Sequence, residues 1–303
     1  MDNLCHTLVG AALGEAGLKR LSPRGNAALM ITANIPDLDA LVFLTGTPSV
    51  SFRRGWTHGV LALALLPVLL TGAIVLFDRW RATRGGTTRR ARPLPLLALC
   101  YIGVFSHVFL DYLNNYGIRL LMPFSGRWSY GDAVFIVDPW LWLVLAAGIA
   151  WARRRPSVRP ARVALAMACI YIAGMLWLAI AGRAVVLDAW TMAHGEAPRA
   201  LMVGPVPVNP LQKQIIVDAG DHYERGSLHW WPRFVRFDVA VVAKNERGPE
   251  VARAREHPWV KAVLVWARFP CYSVERSAPG VRVTLRDLRF GDRIGLVSVT
   301  VPE

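Results

Sequence analysis

Six histidine and aspartate residues near the start of the chain have the types and spacing of ligands for a divalent metal ion. They are His6, Asp37, Asp39, His58, His107 and Asp111. His107 and Asp111 lie four residues apart, so a helix would present both on one face, as two ligands of one metal require. Imidazole and carboxylate ligands without thiolate suit zinc, manganese or iron. The spacing predicts a divalent-metal site, with zinc preferred and manganese or iron as alternatives.

The chemistry expected of such a site is the activation of water. A metal-bound water has a lowered pKa and supplies hydroxide near neutral pH for attack on an ester or phosphoester. Six candidates exceed the three protein ligands of one catalytic zinc, so either two metals bind or some residues only support the ligands. Asp37 or Asp39 could act as general base. The alternative for each residue is ordinary: a hydrogen-bonded histidine at a helix end, or an aspartate that caps a turn.

These residues are embedded in apolar sequence. The chain of 303 residues is 54% hydrophobic, which is too apolar for a typical soluble enzyme. Stretches 60–77, 94–114 and 163–182 have the length and apolarity of membrane-spanning helices. A fourth, 139–151, is short unless it includes 133–137, and Asp138 before a proline marks its start.

Two weaker segments precede the long apolar stretches. Segment 4–18 has Gly10 and Gly14 four residues apart, a spacing that allows close helix contact in lipid. Segment 27–44 is interrupted by Pro-Asp-Leu-Asp. The two either cross the membrane or form buried or re-entrant helices. We therefore expect a mainly α-helical, polytopic membrane bundle of about four to six membrane helices.

Basic residues indicate the orientation of this bundle. The formal net charge is +14, but the arginines cluster in short linkers between apolar stretches and no RNA- or DNA-binding motif accompanies them. We expect a lipid bilayer as partner and no nucleic acid. Linkers 78–93 and 152–159 are arginine-rich and should be cytoplasmic. His58, His107 and Asp111 then lie at the outer face, joined by the other three candidates if the early segments cross.

The composition changes at about residue 183. No long apolar stretch follows, and β-prone stretches at 234–243, 281–285 and 294–301 accompany a predicted helix at 249–257. We expect a transmembrane domain over 1–182 with the metal site and a β-rich α+β soluble domain over 183–303 on the extracytoplasmic side. Four histidines of this second region have no metal-ligand spacing and are interpreted as surface or packing residues: His194, His222, His229 and His257.

Several short motifs in order along the chain resemble one known family. They are His6, Asn34-Ile-Pro-Asp-Leu-Asp39, Gly55-Trp-Thr-His-Gly59, Ser106-His-Val-Phe-Leu-Asp111 and Leu121-Met-Pro-Phe124. Together they resemble the YdjM-type family of bacterial inner-membrane proteins, described as membrane-bound metal-dependent hydrolases, over roughly residues 1–182. The pieces Trp266-Ala-Arg-Phe-Pro270 and Asp287-Leu-Arg-Phe290 are similar to the soluble tail of one branch. The resemblance implies a multi-pass protein of the bacterial inner (cytoplasmic) membrane with a hydrolase-like site at the six residues.

One departure from that family concerns the residues before His58. Many relatives have His-Arg-Gly where this chain has Arg53-Arg54-Gly55. A charged guanidinium cannot ligate a metal, so we interpret Arg53 and Arg54 as binding a substrate phosphate or a lipid head group, which arginine does with two parallel hydrogen bonds.

The sequence therefore favours a membrane-bound metal-dependent hydrolase that acts on a lipid or on another ester or phosphoester. Two alternatives stay open: a non-catalytic transporter with a His/Asp ion site, and a structural or regulatory membrane protein whose His/Asp set stabilises the fold. The orientation predicts that a cysteine near position 86 is labelled only from the cytoplasm and one near 245 only from outside. The sequence leaves the substrate, the number of metals and the oligomeric state open.

Overall fold

The computed structural model describes residues 1–46, 48–84, 89–277, 280–291 and 293–302. Position 86, named above for cytoplasmic labelling, lies outside these residues. The helices of the first two thirds of the chain are α1 (Asn3–Glu15), α2 (Gly25–Thr32), α3 (Val60–Thr83), α4 (Pro93–Tyr112), α5 (Pro139–Arg154) and α6 (Arg159–His194). A 3₁₀ segment, Ile35–Thr45, follows α2.

Three of these helices, α3, α4 and α6, are long and apolar enough to cross a membrane. The pair formed by α2 and the 3₁₀ segment, bent by 48°, would be a fourth span if it is counted as one. Helix α5 has 16 residues, about 24 Å at ~1.5 Å per residue, which is less than the ~30 Å of hydrocarbon. In the described part of the chain, a bundle of three to four candidate membrane helices thus confirms the predicted helical fold class.

Helix α4 lies at the centre of this bundle. It packs against α1, α2 and α3, and Leu96, Leu99, Cys100 and Val104 are fully buried. The contact with α2 is close because Gly103 has no side chain, and a Cβ there would collide with Thr32. Small residues at helix contacts are the usual means of tight packing in lipid.

The outer surfaces of α3 and α6 are apolar and exposed. Leu69 on α3 is 64% exposed, and Ile170 and Ile180 on α6 are each 72% exposed. A contiguous apolar surface of this kind is costly in water but not against lipid tails. These faces are therefore suited to contact with the bilayer.

Side-chain caps mark where two helices begin. Asp138 accepts hydrogen bonds from the backbone N–H groups of Trp140 and Leu141 at 3.0 Å each, so the capping role predicted for it is confirmed. Its second oxygen accepts a 2.8 Å hydrogen bond from the hydroxyl of Tyr171 on α6. This carboxylate thus joins the start of α5 to α6.

The C-terminal region contains two antiparallel sheets and two short helices. The strands are β1 (Ala200–Pro205), β2 (Gln212–Asp218), β3 (His222–Trp230), β4 (Arg233–Phe237), β5 (Val242–Ala243), β6 (Pro270–Ser277), β7 (Gly280–Asp287) and β8 (Gly295–Val301), and the helices are α7 (Pro249–Glu256) and α8 (Pro258–Leu264). One sheet has the order β1-β2-β3-β4 with β5 also paired to β3, and the other has the order β6-β7-β8. The three predicted β-prone stretches overlap β4 with β5, β7 and β8, and the predicted helix overlaps α7, so the predicted β-rich region with a helix is confirmed.

Alternation along β1 and β2 gives the first sheet two buried faces. One face, with Leu201 and Ile215, packs against Val186 and Trp190 near the end of α6. The other face, with Met202, packs against residues of the β6 strand and its neighbours. Period-two alternation is what allows one strand to serve both cores.

The chain divides into two compact units. One comprises Met1–Asp39 and Arg54–Trp177, and the other comprises Ala40–Arg53 and Leu178–Glu303. Within the second unit, Val50 packs against the core that α7 and α8 form with the β6-β7-β8 sheet. The short segment 40–53 therefore belongs with the C-terminal elements, although it is far from them in sequence.

Candidate metal centre

Helix α4 supplies the base of the candidate site. His107 and Asp111 lie one turn apart with the imidazole Nε2 3.5 Å from a carboxylate oxygen, and neither residue is exposed. His107 Nδ1 lies 2.8 Å from the carbonyl oxygen of Ala33. A carbonyl can only accept, so Nδ1 carries a proton and donates it to Ala33, and Nε2 faces Asp111.

His58 approaches the same point from the turn before α3. Its Nε2 lies 3.0 Å from His107 Nε2 and 3.2 Å from Asp111 Oδ2. The hydroxyl of Thr57 lies 2.9 Å from the other ring nitrogen, Nδ1. Both imidazoles therefore direct Nε2 inward and are held from behind through Nδ1.

The two aspartates of the 3₁₀ segment differ in position. Asp37 Oδ1 lies 4.0 Å from His107 Nε2, so this carboxylate completes the inner group. Asp39 lies behind His58: its Oδ2 is 3.7 Å from His58 Nδ1 and accepts hydrogen bonds from the backbone N–H of Arg54 at 2.7 Å and from Thr57 Oγ1 at 3.1 Å. Asp39 is thus placed to orient His58.

Helix α1 adds His6 to the cluster. Its Nε2 lies 3.2 Å from Asp111 Oδ1, and its ring stacks on His107 with centroids 3.9 Å apart. The N-terminal amine of Met1 also contacts Asp111 Oδ1. All six residues predicted from the sequence therefore lie together, with Asp111 as the carboxylate that most of them contact.

Four of the six have the geometry of a metal site. Asp37, His58, His107 and Asp111 each offer one ligand atom, and these atoms all lie within 4.8 Å of one another. In a tetrahedral site with bonds of about 2.0–2.2 Å, neighbouring ligand atoms are about 3.3–3.6 Å apart. The four separations given above, 3.0 to 4.0 Å, span that value. This buried group could hold a metal ion.

A buried arginine balances part of the negative charge. Arg54 is 3% exposed, and its Nη2 donates to Asp111 Oδ1 at 3.2 Å while its Nε lies 3.1 Å from Oδ2 at an angle too poor for a hydrogen bond. Its Nη1 donates to Asn114 Oδ1 at 3.0 Å. Carboxylates buried at membrane depth require such compensation. In this structure the guanidinium of Arg54 is engaged with Asp111, and its predicted role in substrate binding stays a prediction.

Arg53 belongs to the other compact unit. Its guanidinium lies over the ring of Phe43, 5.4 Å from the centroid. The predicted substrate role of Arg53 also stays a prediction.

Two residues of the cluster were not predicted from the sequence. Thr57 bridges His58 and Asp39, and Asn114 accepts from Arg54 and from the backbone N–H groups of Tyr116 and Gly117. A hydroxyl directly before a candidate ligand could have drawn attention to Thr57. Asn114, three residues after Asp111, carries a weaker signal because asparagine at a helix end is common.

Comparisons with known proteins identify the family of this chain. The model of the YdjM inner membrane protein family matches residues 1–183, a region that includes all six His and Asp residues. A curated relative, "Uncharacterized protein YfhP" of Bacillus subtilis (strain 168), is 27% identical over 161 residues. That alignment covers 50% of this chain and 46% of the relative, so the chain spans about half the length of the curated protein it matches. No solved structure matches. Since the family model covers more than half of the chain, the protein belongs to the YdjM inner membrane protein family.

Proposed function

We propose that this protein is a membrane-bound, metal-dependent hydrolase of esters or phosphoesters, with a lipid as the preferred substrate class. The observation that supports it is the pair of imidazole Nε2 atoms 3.0 Å apart beside Asp111, each ring held through Nδ1. Two lone pairs at that distance repel unless a proton or a cation lies between them. Three neighbouring carboxylates favour the cation.

The residues have separate roles in this proposal. Asp37, His58, His107 and Asp111 hold the ion, which when bound supplies a Lewis acid and lowers the pKa of a coordinated water. Asp39 orients His58 and maintains its basicity, as carboxylates behind ligating histidines do.

Asp37 is the best placed of the group to receive a proton. At 9% it is the most exposed of the six residues, and its oxygen lies farther from His107 than the other ligand atoms do. A carboxylate at the edge of the group can accept the proton that the attacking water loses. His6 packs against His107 and keeps its ring in place.

Metal content provides the first test. Protein purified in detergent should contain a divalent metal by elemental analysis, and the variant His107→Ala/Asp111→Ala should lose it. His229→Ala, which removes a histidine of the C-terminal unit, is the matched control and should keep it. A metal-free wild type, or a double variant with undiminished metal, would overturn the site.

Activity is tested separately from metal content. We expect metal-loaded protein in phospholipid vesicles to release fatty acid or a phosphorylated head group. The Asp37→Asn variant should still bind metal, because His58, His107 and Asp111 remain as three ligands, but it should lose most of the release because an amide cannot accept the proton. Metal-coupled uptake into liposomes without hydrolysis would support the transporter alternative instead. Full release from a metal-free protein would overturn the mechanism.

We also propose that the C-terminal domain lies on the extracytoplasmic side of the inner membrane. The arginine-rich linkers before α4 and after α5 support this orientation. Cys169, the exposed cysteine among the described residues, is first replaced by serine. Asn245→Cys should then react with an impermeant thiol reagent in intact spheroplasts, and Arg154→Cys only after lysis. The reverse pattern would overturn the orientation.

A further inference from the structure

Two basic segments that are far apart in sequence form one cleft in the N-terminal unit. The segments are 19–24, between α1 and α2, and 89–92, before α4. The cleft has a volume of about 740 Å³, and six cationic residues line it: Lys19, Arg20, Arg24, Arg89, Arg90 and Arg92. The two segments come together only in the folded chain, so the number of arginines in each linker could not have predicted the cleft.

Hydrogen bonds hold the two segments together. The backbone N–H of Arg92 donates to Ser22 Oγ at 3.0 Å, and Arg92 Nη2 donates to the carbonyl oxygen of Arg20 at 3.3 Å. Asp78, near the end of α3, accepts from Arg24 Nε at 2.6 Å and from the backbone N–H of Ala91 at 2.8 Å. The walls of the cleft are therefore built into the bundle.

The cleft carries a surplus of positive charge. Arg24 is paired with Asp78, and Lys19 contacts Glu15. Among the described residues, the side chains of Arg89 and Arg90 form no ion pair with a carboxylate. The first turn of α2 also lines the cleft, and the positive end of its dipole adds to the field. Such an arrangement favours an anion over a zwitterion.

The position of the cleft identifies the source of that anion. Helix α3 ends at Thr83 and α4 begins at Pro93, and both are long and apolar enough to span a membrane. Residues 89–92, directly before α4, then lie at the boundary of the hydrocarbon, where lipid phosphates are found. Basic pockets between membrane helices at this level bind the head groups of anionic lipids.

We propose that this cleft is a binding site for the phosphate of an anionic phospholipid, distinct from the His/Asp metal centre. Phosphate is the shared chemistry of a lipid head group and of free inorganic phosphate. The lipid is favoured because it would present its phosphate at the depth of the cleft while its acyl chains remain in the bilayer.

The test uses the full chain in neutral detergent, with phosphatidylglycerol and phosphatidylcholine added separately. We expect native mass spectrometry to show retained phosphatidylglycerol and at least severalfold less phosphatidylcholine. The variant Arg89→Gln/Arg90→Gln should bind phosphatidylglycerol roughly tenfold more weakly, since each basic residue near a membrane surface contributes a several-fold effect. Metal content should not change, which separates this proposal from the hydrolase proposal.

The matched control removes the same charge from the other basic linker. Arg154→Gln/Arg155→Gln alters two arginines that lie outside the cleft and should leave phosphatidylglycerol binding within about twofold of wild type. If the two double variants lost phosphatidylglycerol binding equally, binding would depend only on the net positive charge of the protein, and the site would be overturned. Equal retention of the two lipids by the wild type would also overturn it. Displacement of the lipid by millimolar inorganic phosphate would overturn its assignment as the ligand.

Discussion

Arg54 provides the sharpest test of how the metal centre is stabilised. It is buried against Asp111 and Asn114, and it follows Arg53, whose side chain is only partly buried and lies over Phe43. Arg54→Gln and Arg53→Gln therefore make the same chemical change at neighbouring positions in different surroundings. A difference between the two variants reports the surroundings and not the chemistry.

The expected magnitudes differ because the partners differ in burial. Removing one partner of a buried ion pair costs about 3–5 kcal/mol, and Asp111 is fully buried. Because the Met1 amine still contacts Asp111, we expect the loss to fall toward the lower end of that range. The contact of Arg53 with the ring of Phe43, which is itself exposed, contributes about 0.5–1 kcal/mol. With metal removed by chelator, we expect Arg54→Gln to lose about 3–5 kcal/mol of unfolding free energy and Arg53→Gln about 1 kcal/mol or less.

Metal should change this difference in a defined direction. A divalent ion beside Asp111 supplies positive charge that Arg54→Gln lacks. Added zinc should therefore raise the unfolding free energy of Arg54→Gln by more than it raises that of Arg53→Gln. Unfolding by sodium dodecyl sulfate in mixed micelles, followed by circular dichroism, measures both free energies with and without zinc. Equal stabilities of the two variants in chelator, or a deficit that zinc leaves unchanged, would refute the reasoning.

Three further predictions concern helix contact, capping and titration. Gly103→Val should lose about 1–3 kcal/mol because its side chain would collide with Thr32, whereas Gly174→Val on α6, with no atom within 4 Å of an added Cβ, should lose less than about 1 kcal/mol in the same micelle assay. Asp138→Ala should lose about 1 kcal/mol of unfolding free energy because the helix cap is removed, and more because the hydrogen bond from Tyr171 on α6 is lost as well. Unfolding in the same micelle assay measures this loss. The hydrogen bond from His222 to Asp221 raises the pKa of His222 above 6.5, so the pair stabilises the C-terminal domain below pH 6.5 and the contribution is lost as pH rises through the raised pKa. NMR titration should show that pKa falling in Asp221→Asn, and an unchanged value would contradict the assignment.

The sequence was informative about the site wherever a local rule applied. The i,i+4 spacing of His107 and Asp111 needs only a helix, and the cap at Asp138 needs only the residue types around Pro139. The arginine-based orientation placed His58 at the depth of this pair, and the other three candidates only if the early segments cross; the structure brings His58 to 3.2 Å from Asp111. Composition and β-propensity indicated β4, β5, β7 and β8, whereas β1, β2, β3 and β6 were not predicted individually.

Tertiary packing determined the features that the sequence left open. Whether Asp37 or Asp39 faces inward depends on how the 3₁₀ segment turns. Arg54 was interpreted as a substrate residue because nothing local indicates that its guanidinium meets Asp111, 57 positions away. The basic cleft likewise depends on two linkers that meet only in the folded chain.

The association of segment 40–53 with the C-terminal elements bears on how the two halves can be studied apart. The chain enters that unit directly after Asp39 and leaves it directly before Arg54, both members of the His/Asp cluster. A protein truncated at residue 182 would keep every predicted ligand but remove the α7 and α8 core against which Val50 packs. Segment 40–53 would then lose this packing contact and become a free loop. Holding Asp39 and Arg54 at its two ends in place would therefore cost more conformational entropy. Weak metal binding by such a fragment would therefore report the lost anchor of this loop and not the absence of a ligand.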